Sequence, residues 1–280
     1  MVQGSSEVPA ELTEALRRRL MNGLALLPAG ANVVMQLARL PIGHAVATST
    51  VTSGALTVHP VKRTRTTLGY VTVSLFGTED ERRALRRAVN SQHRHVRSSD
   101  DAPVAYDAFD PDLQLWVAAC MYRGALDAMT FIDPHAPPDL IDELYARCAR
   151  FATNLQVEPS RWPVDRVAFE SYWAEAVKSV EMDGLTRDYL RDVASLSFLP
   201  PPVSAVFGPL HRVMTAGFLP EPFRRELGLA WSHRRERLFH VVLHVSVALN
   251  RRLPRVLAQF PLNLALWDAR RRLRGERPFV

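Results

Sequence analysis

The stretch KRTRTTLGYVTVSLFGTEDERRALRRAVNSQHRHVR, residues 62–97, decides how the 280-residue chain is read. It breaks at Gly77, where one helix ends and another begins. Thr78 is the N-cap of the second helix, and Glu79, Asp80 and Glu81 fill the positive end of its dipole. On the first helix Arg63 and Thr67 stand four residues apart and share a face. On the second, Leu85, Val89, Gln92 and Val96 recur as one stripe with His93 inside it, while His95 is rotated away. An imidazole on the inner face of one helix, opposite an Arg–Thr pair on another, outlines a pocket. Such a pocket suits an iron porphyrin, with His as axial ligand and Arg and Thr on the opposite face or at a propionate. A lone His among aliphatics is also read as a hydrogen-bonded core residue, its commoner use.

Working outward, Ala31 to Thr52 (ANVVMQLARLPIGHAVATSTVT) precedes Arg63-x-x-x-Thr67-Leu68. Val71 to Phe76-Gly77-Thr78 and His93-x-His95-Val96-Arg97 follow. Beyond these come Asp110-Pro111-x-Leu113-x-Leu115-Trp116-Val117, Phe169-x-x-Tyr172-Trp173 and Leu199-Pro200. In order and spacing, over most of residues 30 to 270, these parts resemble the MpaB-type oxygenases, which include the rubber oxygenase (latex-clearing protein) catalytic domain. The resemblance implies an all-helical fold that binds haem b. It also implies His93 as the proximal iron ligand, with Arg63 and Thr67 in the pocket. Rubber-cleaving members place a Lys just before the Thr, where this chain has Thr66. Many relatives follow the Trp-Val pair with His, where this chain has Ala118.

Composition narrows the classes. Hydrophobic residues are 47% of the chain, ample for a large core, and the charges (35 basic, 29 acidic) leave a net of +6 spread over helical faces. No basic–aromatic interleaving of the nucleic-acid type occurs. Cys120 and Cys148 lack a C-x-x-C spacing, so neither a disulfide framework nor a zinc ribbon is expected, and Cys120 reads as a small buried hydrophobe. No run of eighteen apolar residues exists. Arg17-Arg18-Arg19 is preceded by Glu7, Glu11 and Glu14, and no small-residue cleavage site follows, so a cytoplasmic location is expected. There is no phosphate loop, dinucleotide fingerprint or G-x-S-x-G.

Along the rest of the chain, residues 1–29 read as a lead-in with a short helix, and 30–280 as one helical domain. Helices are expected at Ala31 to Leu40, ended by Pro41, and again from Ile42 to Thr52 with His44 as an ordinary helix histidine. Pro111 to Phe131, apolar on most faces, belongs at the centre, with Arg123 and Asp127 pairing with each other. The helix from Arg235 to Leu253 carries His240 and His244 one turn apart among valines and leucines. That spacing is metal-ligand geometry, or else the pair fills the core or packs beside the haem. Arg270, Arg271, Arg272, Arg274 and Arg277 read as a solvated basic end, with loose attachment to anionic lipid as the other use.

The expected protein is therefore a single all-α domain with an interior haem pocket. Its expected function is haem b-dependent oxygenation of a small apolar, isoprenoid or lipid-like substrate with dioxygen, the apolar substrate being implied by the resemblance. The rival readings are a non-catalytic haem sensor or carrier and a non-haem metalloenzyme using His240 and His244. Peripheral membrane contact is compatible with each, nucleic-acid binding is not expected, and the oligomeric state is open.

Overall fold

The computed structural model describes residues 10–48 and 56–275, and these form fourteen α-helices in one all-α domain. No strand occurs among the described residues; the nearest thing is one antiparallel bridge between Arg97 and Asp107.

Helix α6 (Pro111–Ile132) is the axis of the molecule. Asp110 caps it by accepting from the backbone N–H groups of Asp112 and Leu113, and Pro111 fits the first turn because no N–H is needed there. Ten of its 22 residues are buried, spread round the helix rather than along one stripe. It packs against α7 (Pro138–Asn154), α2 (Ala29–Leu37) and α1 (Ala10–Leu20). Trp116 donates from Nε1 to the Met35 carbonyl at 3.1 Å and stacks on Trp173 of α8 (Arg166–Ala176) at 5.3 Å. One turn and a half further on, Tyr122 meets Phe169 edge-on at 4.6 Å, and Tyr145 and Trp162 complete that cluster. At Gly124 any Cβ would run into the Asn32 side chain, so the close α2–α6 approach needs glycine there.

The joint at Gly77 is as expected. Helix α4 spans Pro60–Phe76 and α5 spans Glu79–His93. Thr78 accepts from the Glu81 N–H while the Glu81 carboxylate accepts from the Thr78 N–H, a reciprocal cap worth about 1 kcal/mol. Arg147 on α7 ties three helices together inside the core, bonding Glu143, the Thr13 hydroxyl at 2.8 Å and the Leu75 carbonyl at 3.3 Å.

Several expectations change. Pro41 lies in the first turn of α3 (Leu40–Ala47) instead of ending the preceding helix, a position where its missing N–H costs nothing. Residues 49–52 of that expected helix lie outside the described residues. Gln92 is exposed, because the last turn of α5 runs out past its neighbours; only Leu85 of α5 is fully buried. Arg123 bonds Glu170 at 2.5 Å and lies over the Trp173 ring, rather than pairing with Asp127. Of the C-terminal arginines, Arg270, Arg271 and Arg272 are on α14 (Leu262–Leu273), Arg274 caps its end, and Arg277 lies outside the described residues. Leu262, Leu266 and Ala269 of α14 pack with Val73 and Leu85 in a second core; Arg270 pairs with Glu81 at 2.9 Å and Arg272 with Asp268 at 2.6 Å.

Helix α12 (His233–Asn250) departs furthest from expectation. Of its eighteen residues only Phe239 and Leu243 are buried, and both His240 and His244 are exposed, so neither fills the core. It crosses α10 (Pro201–Phe218) at Gly217, where a Cβ would strike the Phe239 ring. Among the described residues no single helix is long and apolar enough to cross a membrane; the bent pair Ala10–Leu20 and Gly23–Leu37 passes by composition, yet Leu16, Leu20, Val34 and Met35 are core residues.

Candidate functional site

Helix α4 is two different halves. Its C-terminal half buries Gly69, Thr72, Val73, Ser74 and Leu75, whereas Pro60 to Leu68 has no buried residue. Arg63 and Thr67 project from this uncovered half. Thr66 does not add a free donor, because its Oγ1 donates back to the Lys62 carbonyl at 2.8 Å. Ala118, on α6, is fully buried among core side chains.

Across from α4, His93 is the last residue of α5 and is half-buried. Its Nδ1 is buried with no hydrogen-bond partner among the described residues. The ring meets Phe109 edge-on, with centroids 6.3 Å apart. A polar brace holds this corner. Asn90, one turn before His93, accepts from the Gln156 amide; Gln114 donates to Gln156 at 3.1 Å and to the Ala108 carbonyl at 2.7 Å. Gln156 sits at φ +69, a left-handed conformation costly for a non-glycine residue, so the surrounding bonds hold it there. His95 is exposed, two residues beyond the helix end.

Charge links these parts. Arg63 is exposed on the uncovered half of α4. Desolvation lowers its pKa, the Tyr189 phenol on α9 (Gly184–Ser195) acts in the opposite direction, and no carboxylate is paired with it among the described residues. Burial first, and the Arg63 charge second, hold the His93 pKa below its ordinary value. A neutral imidazole is the form that ligates metals. A guanidinium without a carboxylate partner is open to an anion.

The structure thus brings Arg63, His93 and Tyr189 into one electrostatic neighbourhood, with Thr67 one turn along from Arg63. Tyr189 was not anticipated. Its only sequence signal is an aromatic with a polar tip beside the buried Thr186, Leu190 and Val193 of α9, which does not reveal its partner. His44 is elsewhere, buried on α3 with Nε2 2.6 Å from the Asp183 carboxylate. On α12, His244 Nδ1 donates to the His240 carbonyl at 2.7 Å, and no group of three or more metal-ligating side chains occurs among the described residues. A separate open cleft of about 620 Å³ lies between α9, α10 and the start of α12, lined by Ser195, Ser204, Arg212 and Arg235, and includes none of Arg63, Thr67 or His93.

Residues 16–248 match the family described as ER-bound oxygenase mpaB/B'/rubber oxygenase, catalytic domain. The chain is also 44% identical over 255 residues to uncharacterized protein Mb2261 of Mycobacterium bovis and to uncharacterized protein Rv2237 of Mycobacterium tuberculosis, covering 91% of this chain and all of each relative. No solved structure matches it. With most of its length matched, the chain belongs to the mpaB/rubber oxygenase catalytic-domain family.

Proposed function

We propose that the protein is a haem b-dependent oxygenase acting on a small apolar, isoprenoid or lipid-like substrate with dioxygen. The observation that carries this reading is the orphaned, buried Nδ1 of His93, with Arg63, which has no acid paired with it among the described residues, in the same electrostatic neighbourhood. A porphyrin answers both, because its iron takes a neutral imidazole and its propionates are anions. The residues present therefore fit the group.

In this reading His93, held neutral by its burial and by the Arg63 charge, would hold the iron. Arg63 would hold a propionate, and Thr67 would donate a hydrogen bond in the pocket. The bound haem supplies the activation of dioxygen, which no protein side chain supplies. Phe109 shields the edge of the His93 ring. The non-catalytic sensor or carrier reading draws on Thr66, whose hydroxyl is committed to the Lys62 carbonyl where rubber-cleaving relatives have a Lys.

The visible spectrum of the purified protein tests the proposal through an intense Soret band. His93→Ala is expected to lose haem while keeping its helical circular dichroism, and His95→Ala to retain it. A folded His93→Ala protein with full haem content defeats the assignment. Dioxygen uptake with apolar substrates then separates an oxygenase from a carrier.

A further inference from the structure

Helix α12 leaves an apolar stripe bare. Leu238, Val241, Val245 and Leu249 recur every three or four residues, on the side turned away from the buried Phe239 and Leu243. They are 44–57% exposed, far more than a helix of this composition normally leaves to water. The strip continues past the helix end into Leu253 and Val256, at 46% and 70%. Cations accompany it: Arg234 and Arg237 at the start and Arg251 and Arg252 at the end are all exposed, and none is ion-paired among the described residues. Between residues 233 and 275 the sequence holds ten arginines, no lysine, and two acids, Glu236 and Asp268.

We infer that this face docks on an anionic lipid surface. Apolar side chains flanked by arginines suit the boundary between headgroups and acyl chains, where the aliphatic groups leave water and the cations meet lipid phosphates. Charge decides against a second copy of the chain. A twofold contact along α12 would set arginines of one copy against arginines of the other, with too few acids nearby to compensate. The attachment is peripheral, since no single described helix is long and apolar enough to cross the bilayer. It is carried by α12 and not by the terminal arginine run, where Arg270 and Arg272 face Glu81 and Asp268. The inference does not depend on the cofactor.

Flotation of the full chain with vesicles of phosphatidylcholine alone, and of phosphatidylcholine with phosphatidylserine, tests it. The protein is expected to float with the anionic vesicles, less so as salt rises. Val241→Asp/Val245→Asp and Arg251→Glu/Arg252→Glu are each expected to weaken binding at least about tenfold, with circular dichroism unchanged because all four positions are exposed. Three results overturn the proposal: no flotation of the wild type, equal flotation with both vesicle types, or a dimer by light scattering that Val241→Asp/Val245→Asp converts to monomer.

Discussion

Helices α6 and α12 are similar as sequences and opposite as structures. Both are long, both carry aliphatic residues on nearly every face, and neither shows a clean polar side. In α6 that composition is used fully: Leu115, Trp116, Ala119, Cys120, Tyr122 and Met129 meet side chains from α1, α2, α7 and α8. In α12 one face, Phe239 and Leu243 with the half-buried Val242, meets Met214 and its neighbours, while the stripe of Leu238, Val241, Val245 and Leu249 remains bare. A greasy helix records how much surface it can bury, not whether the fold brings anything to cover it. For α6 the cover is the core itself. For the bare stripe of α12 no described residue supplies it.

The largest expected effect tests this contrast directly. Trp116→Ala on α6 removes a fully buried ring, its stacking on Trp173 and its bond to the Met35 carbonyl, and is expected to cost about 3–5 kcal/mol. Val241→Ser on α12 is expected to change stability by no more than about 0.5 kcal/mol. Urea unfolding of both variants measures the gap; similar losses would erase the distinction drawn between the two helices.

A second test uses charge. Asp127 on α6 has its pKa pushed up to about 6, chiefly by burial, with Arg123 pulling the other way. A raised acid pKa means that the folded state holds the proton more tightly than the unfolded state. Stability from this group is therefore present below the unfolded pKa, and it is lost as pH rises through about 6. Asp127→Asn should stabilise the protein by on the order of 2 kcal/mol at pH 8 and give little below pH about 4. A flat pH dependence for Asp127→Asn would mean that its carboxylate is well solvated.

The smallest expected effect concerns the histidines. His240→Ala/His244→Ala should leave the Tm unchanged, and chelator treatment should do the same to the wild type, because both rings are exposed and no third ligand is near. One equivalent of zinc, lost together with stability in the double variant, would revive the metalloenzyme reading.

About the site, the sequence was informative at short range. Four-residue spacing put Arg63 and Thr67 on one face, and the Gly77–Thr78 joint set where α5 begins; that α5 ends at His93, short of the expected Val96, was not legible. Tyr189 was invisible, lying well over a hundred positions from Arg63 along the chain. So was the Asn90–Gln156–Gln114 brace, because amides separated by long stretches of sequence carry no shared pattern.

What the sequence determined by itself was local: the all-helical class, the caps at Thr78 and Asp110, the rigid turns at prolines, and the family that residues 16–248 match. Those features depend on contacts within a turn or two, which residue type and spacing fix directly. Only the tertiary structure decided that α14 covers α4, that Arg123 answers Glu170, and that α12 stays bare. Burial is a property of what arrives from elsewhere in the chain, and an apolar residue has the same identity whether or not a neighbour comes to cover it.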